Sequence, residues 1–157
     1  MSQDQPRAYR PANGLTLFGP FLTASEAAAR VGGRRALESK RRSLLRIDCP
    51  LGLGSAYPAF QFDAGGQTRE TAFLAPLLVR RVSHEEAIDW LLRPHPLLAM
   101  MSPFRWLGDD LDVRRVIAAL PHPSRPVPGI AGVTEAEVLA FKPRRVWAPE
   151  AYQRRAA

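Results

Sequence analysis

Apart from its arginines, this 157-residue chain holds few side chains able to do chemistry. His84, His95 and His122 sit at a helix start or between prolines, with no His-x-x-x-His or Cys/His spacing of the kind that holds zinc. Cys49 is the single cysteine; it has no partner for an internal disulfide. Arg46 nearby could lower its pKa, but a cysteine without a base is inert more often than reactive. Asp109, Asp110 and Asp112 make an acidic turn, a composition that helix starts favour through their dipole. No Gly-x-x-x-x-Gly-Lys loop, Gly-x-Ser-x-Gly elbow or dinucleotide fingerprint occurs. The sequence predicts a binding protein rather than an enzyme, with no catalytic residue, metal or cofactor.

The arginines point to phosphates. Of a formal net charge of +7, much is concentrated in residues 30–46, where Arg30, Arg34, Arg35, Lys40, Arg41, Arg42 and Arg46 face one acid, Glu38. Each phosphate neutralised by such a cluster releases a condensed counterion, which drives binding to nucleic acid. A solvated, solubilising surface is the competing reading.

The elements that must position this cluster can be read around it. Thr23 and Glu26 have the spacing of a capping box, followed by the strong helix formers Ala27, Ala28 and Ala29. Gly32-Gly33 makes a tight turn, and residues 34–42 read as a second, basic helix with Leu37 as its apolar anchor. Helix, glycine turn, basic helix is the helix-turn-helix pattern, whose second helix enters the major groove. Arg34, Arg35, Lys40, Arg41 and Arg42 are its candidate DNA contacts. Residues 44–47 and 59–62 read as two short strands joined by turn formers, a hairpin beside the helices as a wing would be. In the second strand Phe60 and Phe62 would share one face.

Ala64-Gly65-Gly66 reads as a hinge into a second, helical half. Residues 71–82 predict a helix interrupted by Pro76, and residues 83–120 predict three short helices. Ser83 and Glu86 cap the first of these, and Arg93-Pro94-His95-Pro96 stops it. Ser102-Pro103 opens the second, which carries Trp106 and Leu107. The third puts Val113, Val116, Ile117 and Leu120 on one face, with Arg114 and Arg115 outward.

A capped helix ending near Trp90-Leu91, a proline-bearing loop, Leu98, Ser102-Pro103, an acidic turn and a valine-rich helix together resemble a known antitoxin module. It is the C-terminal, toxin-binding domain of the Xre/ParS-type antitoxins that partner RES-domain toxins. The segment Tyr57-Pro58-Ala59-Phe60-Gln61-Phe62-Asp63 resembles a segment of the same family, and the likeness covers roughly residues 20–120. Two departures stand out: the loop between Leu98 and Ser102 lacks the family's usual glycine, and the segment after Asp63 is short. The resemblance implies an antitoxin that occludes a RES-domain, NAD-degrading toxin and represses its own operon by binding operator DNA. It further implies a homodimer or a hetero-oligomer with the toxin, with docking through apolar surface around Trp106.

The ends complete the expected organisation: a flexible arm over 1–19, a helix-turn-helix-like unit with a β-hairpin over 20–66, and a helical toxin-binding domain over 67–120. Residues 121–157 read as a proline-rich linker, a short helix from a third capping box at Thr134 and Glu137, and a basic, aromatic tail. Arg144, Arg145, Trp147 and Tyr152 are the kinds of residue that interface hot spots use, and the resemblance places such a tail at the toxin's cleft. The fold class expected is mainly α. No apolar run has bilayer-spanning length, and residues 1–14 lack a signal peptide's apolar core, so a cytoplasmic protein without membrane contact is expected. Two other functions fit the same features: a stand-alone transcriptional regulator, or a protein–protein adaptor without DNA binding.

Overall fold

The computed structural model describes residues 8–9, 17–48 and 54–122. Among them are six α-helices and short antiparallel pairings. β1 (Ala8–Tyr9) pairs with β2 (Leu17–Phe18). The next unit runs β3 (Phe21–Leu22), α1 (Ala24–Val31), α2 (Arg34–Ser39), β4 (Ile47–Asp48) and β5 (Ser55–Pro58). Its three strands lie in the order β3-β5-β4.

α1 starts as its spacing predicts. Thr23 Oγ1 accepts from the Glu26 amide at 3.3 Å, and Glu26 Oε2 accepts from the Thr23 amide at 2.7 Å. It ends at Gly32 and Gly33, with φ of 96° and 118°. A Cβ at either position would meet nothing within 4 Å, so the backbone conformation, not the space, calls for glycine there.

The second helix is shorter than the 34–42 expected. It closes at Ser39, whose hydroxyl donates to Ala36 O at 2.8 Å, and the Ser43 hydroxyl does the same to Lys40 O at 3.0 Å. Serine hydroxyls compete in this way for helical carbonyls. Lys40, Arg41 and Arg42 therefore stand on a turn.

The hairpin is also displaced. Its register is Ile47↔Ala56 and Asp48↔Ser55, not 44–47 against 59–62. Pro58 has no amide with which to extend the ladder, and Ala59–Gln61 forms a 3₁₀ turn, so Phe60 and Phe62 do not share a strand face. The expected hinge at residues 64–66 is a tight turn between β6 (Phe62–Asp63) and β7 (Gly66–Gln67). Asp63 Oδ1 accepts from the Gly65 amide at 2.8 Å, and Gly66 has φ of 112°.

The helical half comprises α3 (Arg69–Leu78), α4 (His84–Leu92), α5 (Pro103–Gly108) and α6 (Val113–Ala118). α3 begins two residues before the predicted start, capped by Thr68, and ends shortly after Pro76. Ser83 and Glu86 close a capping box on α4, and Ser102 caps α5. A 3₁₀ turn at Pro96–Leu98 leads into Ala99 and Met100, both left-handed at φ 51° and 63°.

Two apolar cores meet at adjacent residues. Leu44 joins Ala27, Leu37, Tyr57 and Phe62, whereas Leu45 and Ile47 join Leu74, Leu78, Ile88, Leu91 and Leu107 of the helical half. In extended backbone successive side chains point to opposite sides, so residues 44–47 form the seam. None of the helices among the described residues is long and apolar enough to cross a membrane.

Candidate nucleic-acid interface

α2 is held to the first core by Leu37, which is buried against a cluster that includes Ala27 and Tyr57. Arg34, Arg35, Lys40, Arg41 and Arg42 are all exposed, Arg34 and Arg35 on the helix and the other three on the turn behind it. One side of α2 faces a groove lined by Ala24, Ser25, Arg34, Ser55 and Tyr57, between the helices and the hairpin. The opposite side faces a second groove, toward α3 and α4, lined by Arg42, Arg46, Arg80 and His84. Glu38 and Arg41, 3.7 Å apart, line both grooves and form the ridge between them.

The structure adds Arg80 and His84 to the basic cluster and fixes the place of Arg46 within it. Arg46 is largely buried, with 18% of its side chain exposed. One terminal nitrogen donates to Arg41 O at 3.3 Å. Its Nε lies 3.4 Å from Asp48 Oδ1, yet the N–H is not aimed at that oxygen and makes no hydrogen bond. The Arg46 backbone amide donates to His84 Nδ1 at 3.2 Å, which fixes the neutral imidazole with its proton on Nε2. Burial, then the Arg46 cation beside it, hold the His84 pKa below its usual value. The Asp48 carboxyl is also held low, first by the Ser55 hydroxyl that donates to it at 2.7 Å and also by Arg46, against the opposing effect of burial. Only the basic composition around Arg46 was visible in sequence; its pairing with His84 spans 38 residues.

In the helical half the residue at the centre of the expected docking surface is mostly buried. Trp106 is 7% exposed, its Nε1–H donates to Asp112 O at 2.9 Å, and Arg115 lies over its ring at 5.9 Å. Its ring packs within the core of the helical half. The large exposed apolar side chains among the described residues are instead Leu92, Leu97, Met100 and Leu111. Arg144, Arg145, Trp147 and Tyr152, with the linker and helix before them, lie outside the described residues, as does Cys49. Among the described residues no three His, Cys, Asp or Glu side chains gather as metal ligands would.

Comparison of the chain with protein-family models, with curated proteins and with solved structures gives no match.

Proposed function

We propose that this chain is a DNA-binding antitoxin: its first unit grips operator DNA, and its helical half occludes a RES-domain toxin. The observation that carries the DNA side is the exposed row of Arg34, Arg35, Lys40, Arg41 and Arg42 on and behind a helix anchored by Leu37. Two left-handed glycines set that helix against α1, and the β4–β5 hairpin flanks it. Long cations presented from a rigid helix pair reach phosphates and guanine edges. The toxin side rests on the sequence resemblance over residues 57–63 and 83–120. Leu97 and Met100, on the loop after α4, are the most exposed of the large apolar side chains in the helical half and are its candidate contacts to the toxin. The partner is a toxin that consumes NAD, the chain acts as a dimer or as a hetero-oligomer with it, and the setting is cytoplasmic.

The adaptor reading has one observation in its favour: α2 is six residues long, short for a helix that reads a major groove. A triple replacement of Arg34, Arg41 and Arg42 by alanine separates the two. The antitoxin loses operator binding and still neutralises the toxin. An adaptor shows no salt-dependent DNA affinity before or after the change.

A further inference from the structure

The groove between the end of α2 and the helical half concentrates more charge than the two-helix unit supplies by itself. Four arginines line it, Arg41 and Arg42 from the turn, Arg46 from the seam and Arg80 just past α3; Glu38 lies 3.7 Å from Arg41 and Asp48 lies 3.4 Å from Arg46. His84, neutral in its bond to Arg46, adds no compensating negative charge. Guanidiniums gathered in one concavity can offer charge-assisted hydrogen bonds to an anion that enters it. Arg46 is pinned rather than loose, its end tied to Arg41 O and its backbone to His84. The groove is open to solvent along its length, with a volume of about 720 Å³. Its wall at Glu38 and Arg41 is the same ridge that bounds the groove on the other side of α2.

We infer that this groove is a second seat for the DNA backbone. A duplex lying on α2 passes its neighbouring phosphates over the ridge, where Arg42 meets them from one side and Arg80 from the other, with Arg46 a fixed charge beneath them. The helical half thereby becomes part of the DNA contact. The inference rests on the DNA-binding reading and extends it to residues outside the two-helix unit. Arg80 is the decisive residue, because it belongs to the other half of the molecule and its side chain is exposed.

The test is fluorescence anisotropy of the full chain on a labelled duplex taken from upstream of its own gene, over a series of salt concentrations. Each phosphate contact contributes roughly 0.9 to the slope of log affinity against log salt. Arg80→Ala is expected to lower that slope by about 0.9 and to weaken binding on unrelated duplexes as well. Arg114→Ala removes an equal charge from the exposed side of α6 and is expected to leave the slope unchanged. If Arg80→Ala matches Arg114→Ala while Arg34→Ala/Arg35→Ala abolishes binding, the groove assignment is wrong and the DNA reading stands. If the unmodified chain shows no salt-dependent binding, both are wrong. If Arg80→Ala leaves the slope intact but loses the co-purifying toxin, the groove serves an acidic protein surface and the inference is overturned.

Discussion

The side-chain amide of Gln61 closes on both backbone groups of Leu45: the Leu45 N–H donates to Oε1 at 2.9 Å, and Nε2 donates to Leu45 O at 2.7 Å. Gln61 is fully buried, so it acts as a one-residue strand made from a side chain. It ties the seam between the two cores to the 3₁₀ turn, and Gln67 on β7 holds Ser43 beside it, Nε2 donating to the Ser43 carbonyl at 2.5 Å and Oε1 accepting from the Ser43 hydroxyl at 3.3 Å.

Removing that amide strands two backbone groups in the core. Gln61→Leu keeps the volume but leaves the Leu45 N–H and C=O unpaired, which costs roughly 2–4 kcal/mol. Urea titration is expected to show a lower midpoint at an unchanged slope. A midpoint equal to that of the unmodified chain would mean that the seam is not held by this residue.

Stability should fall in mild acid because of His84. Its folded pKa lies below the usual imidazole value of about 6.5, so the unfolded chain takes up a proton first as the pH drops. The stability tied to the neutral ring is full above pH ~6.5 and is lost as pH falls from there through the lower folded value. His84→Asn, whose oxygen can still accept from the Arg46 amide, removes the titration. Thermal melts between pH 8 and 5 should therefore separate the two proteins on the acid side only.

Ala99 and Met100 carry left-handed backbone without glycine. Left-handed φ costs a non-glycine residue about 1 kcal/mol or more, while glycine's extra freedom in the unfolded chain returns about 0.4–1 kcal/mol of that. Both side chains are exposed, so little packing is lost. Ala99→Gly and Met100→Gly are each expected to stabilise the fold by up to about 1 kcal/mol, read as a higher denaturation midpoint. Destabilisation by either would show that the side chain packs in a way its exposure does not suggest.

Trp106 and the exposed loop should behave as opposites. Trp106→Ala opens the core and costs about 3–5 kcal/mol, so any loss of function comes with loss of fold. Leu97→Ser/Met100→Ser should leave the melting curve within about 0.5 kcal/mol of the original and abolish toxin capture in a pull-down. Capture that survives the double change would put the docking surface elsewhere.

What was legible in sequence is what local chemistry decides. Thr23 with Glu26, Ser83 with Glu86, and Ser102 before Pro103 mark helix starts because each motif satisfies its own backbone within one turn. The glycine turn at residues 32–33 belongs with them. What was not legible depends on partners far along the chain. Gln61 looked like the polar side of a strand, and only Leu45, 16 residues away, makes it a core residue. The burial of Trp106 is not legible either, because which face of a short helix is covered depends on the elements that pack against it. The basic run was visible, but Arg80 and His84 join it only when α3 and α4 pack beside α2.

The most direct measurement is co-expression of the full chain with the product of the neighbouring open reading frame, following growth, cellular NAD and co-purification together. The account predicts that the neighbour alone stops growth and drains NAD, and that the chain restores both while purifying in a stable complex with it. A neighbour that is harmless alone, with no complex formed, would contradict the antitoxin assignment.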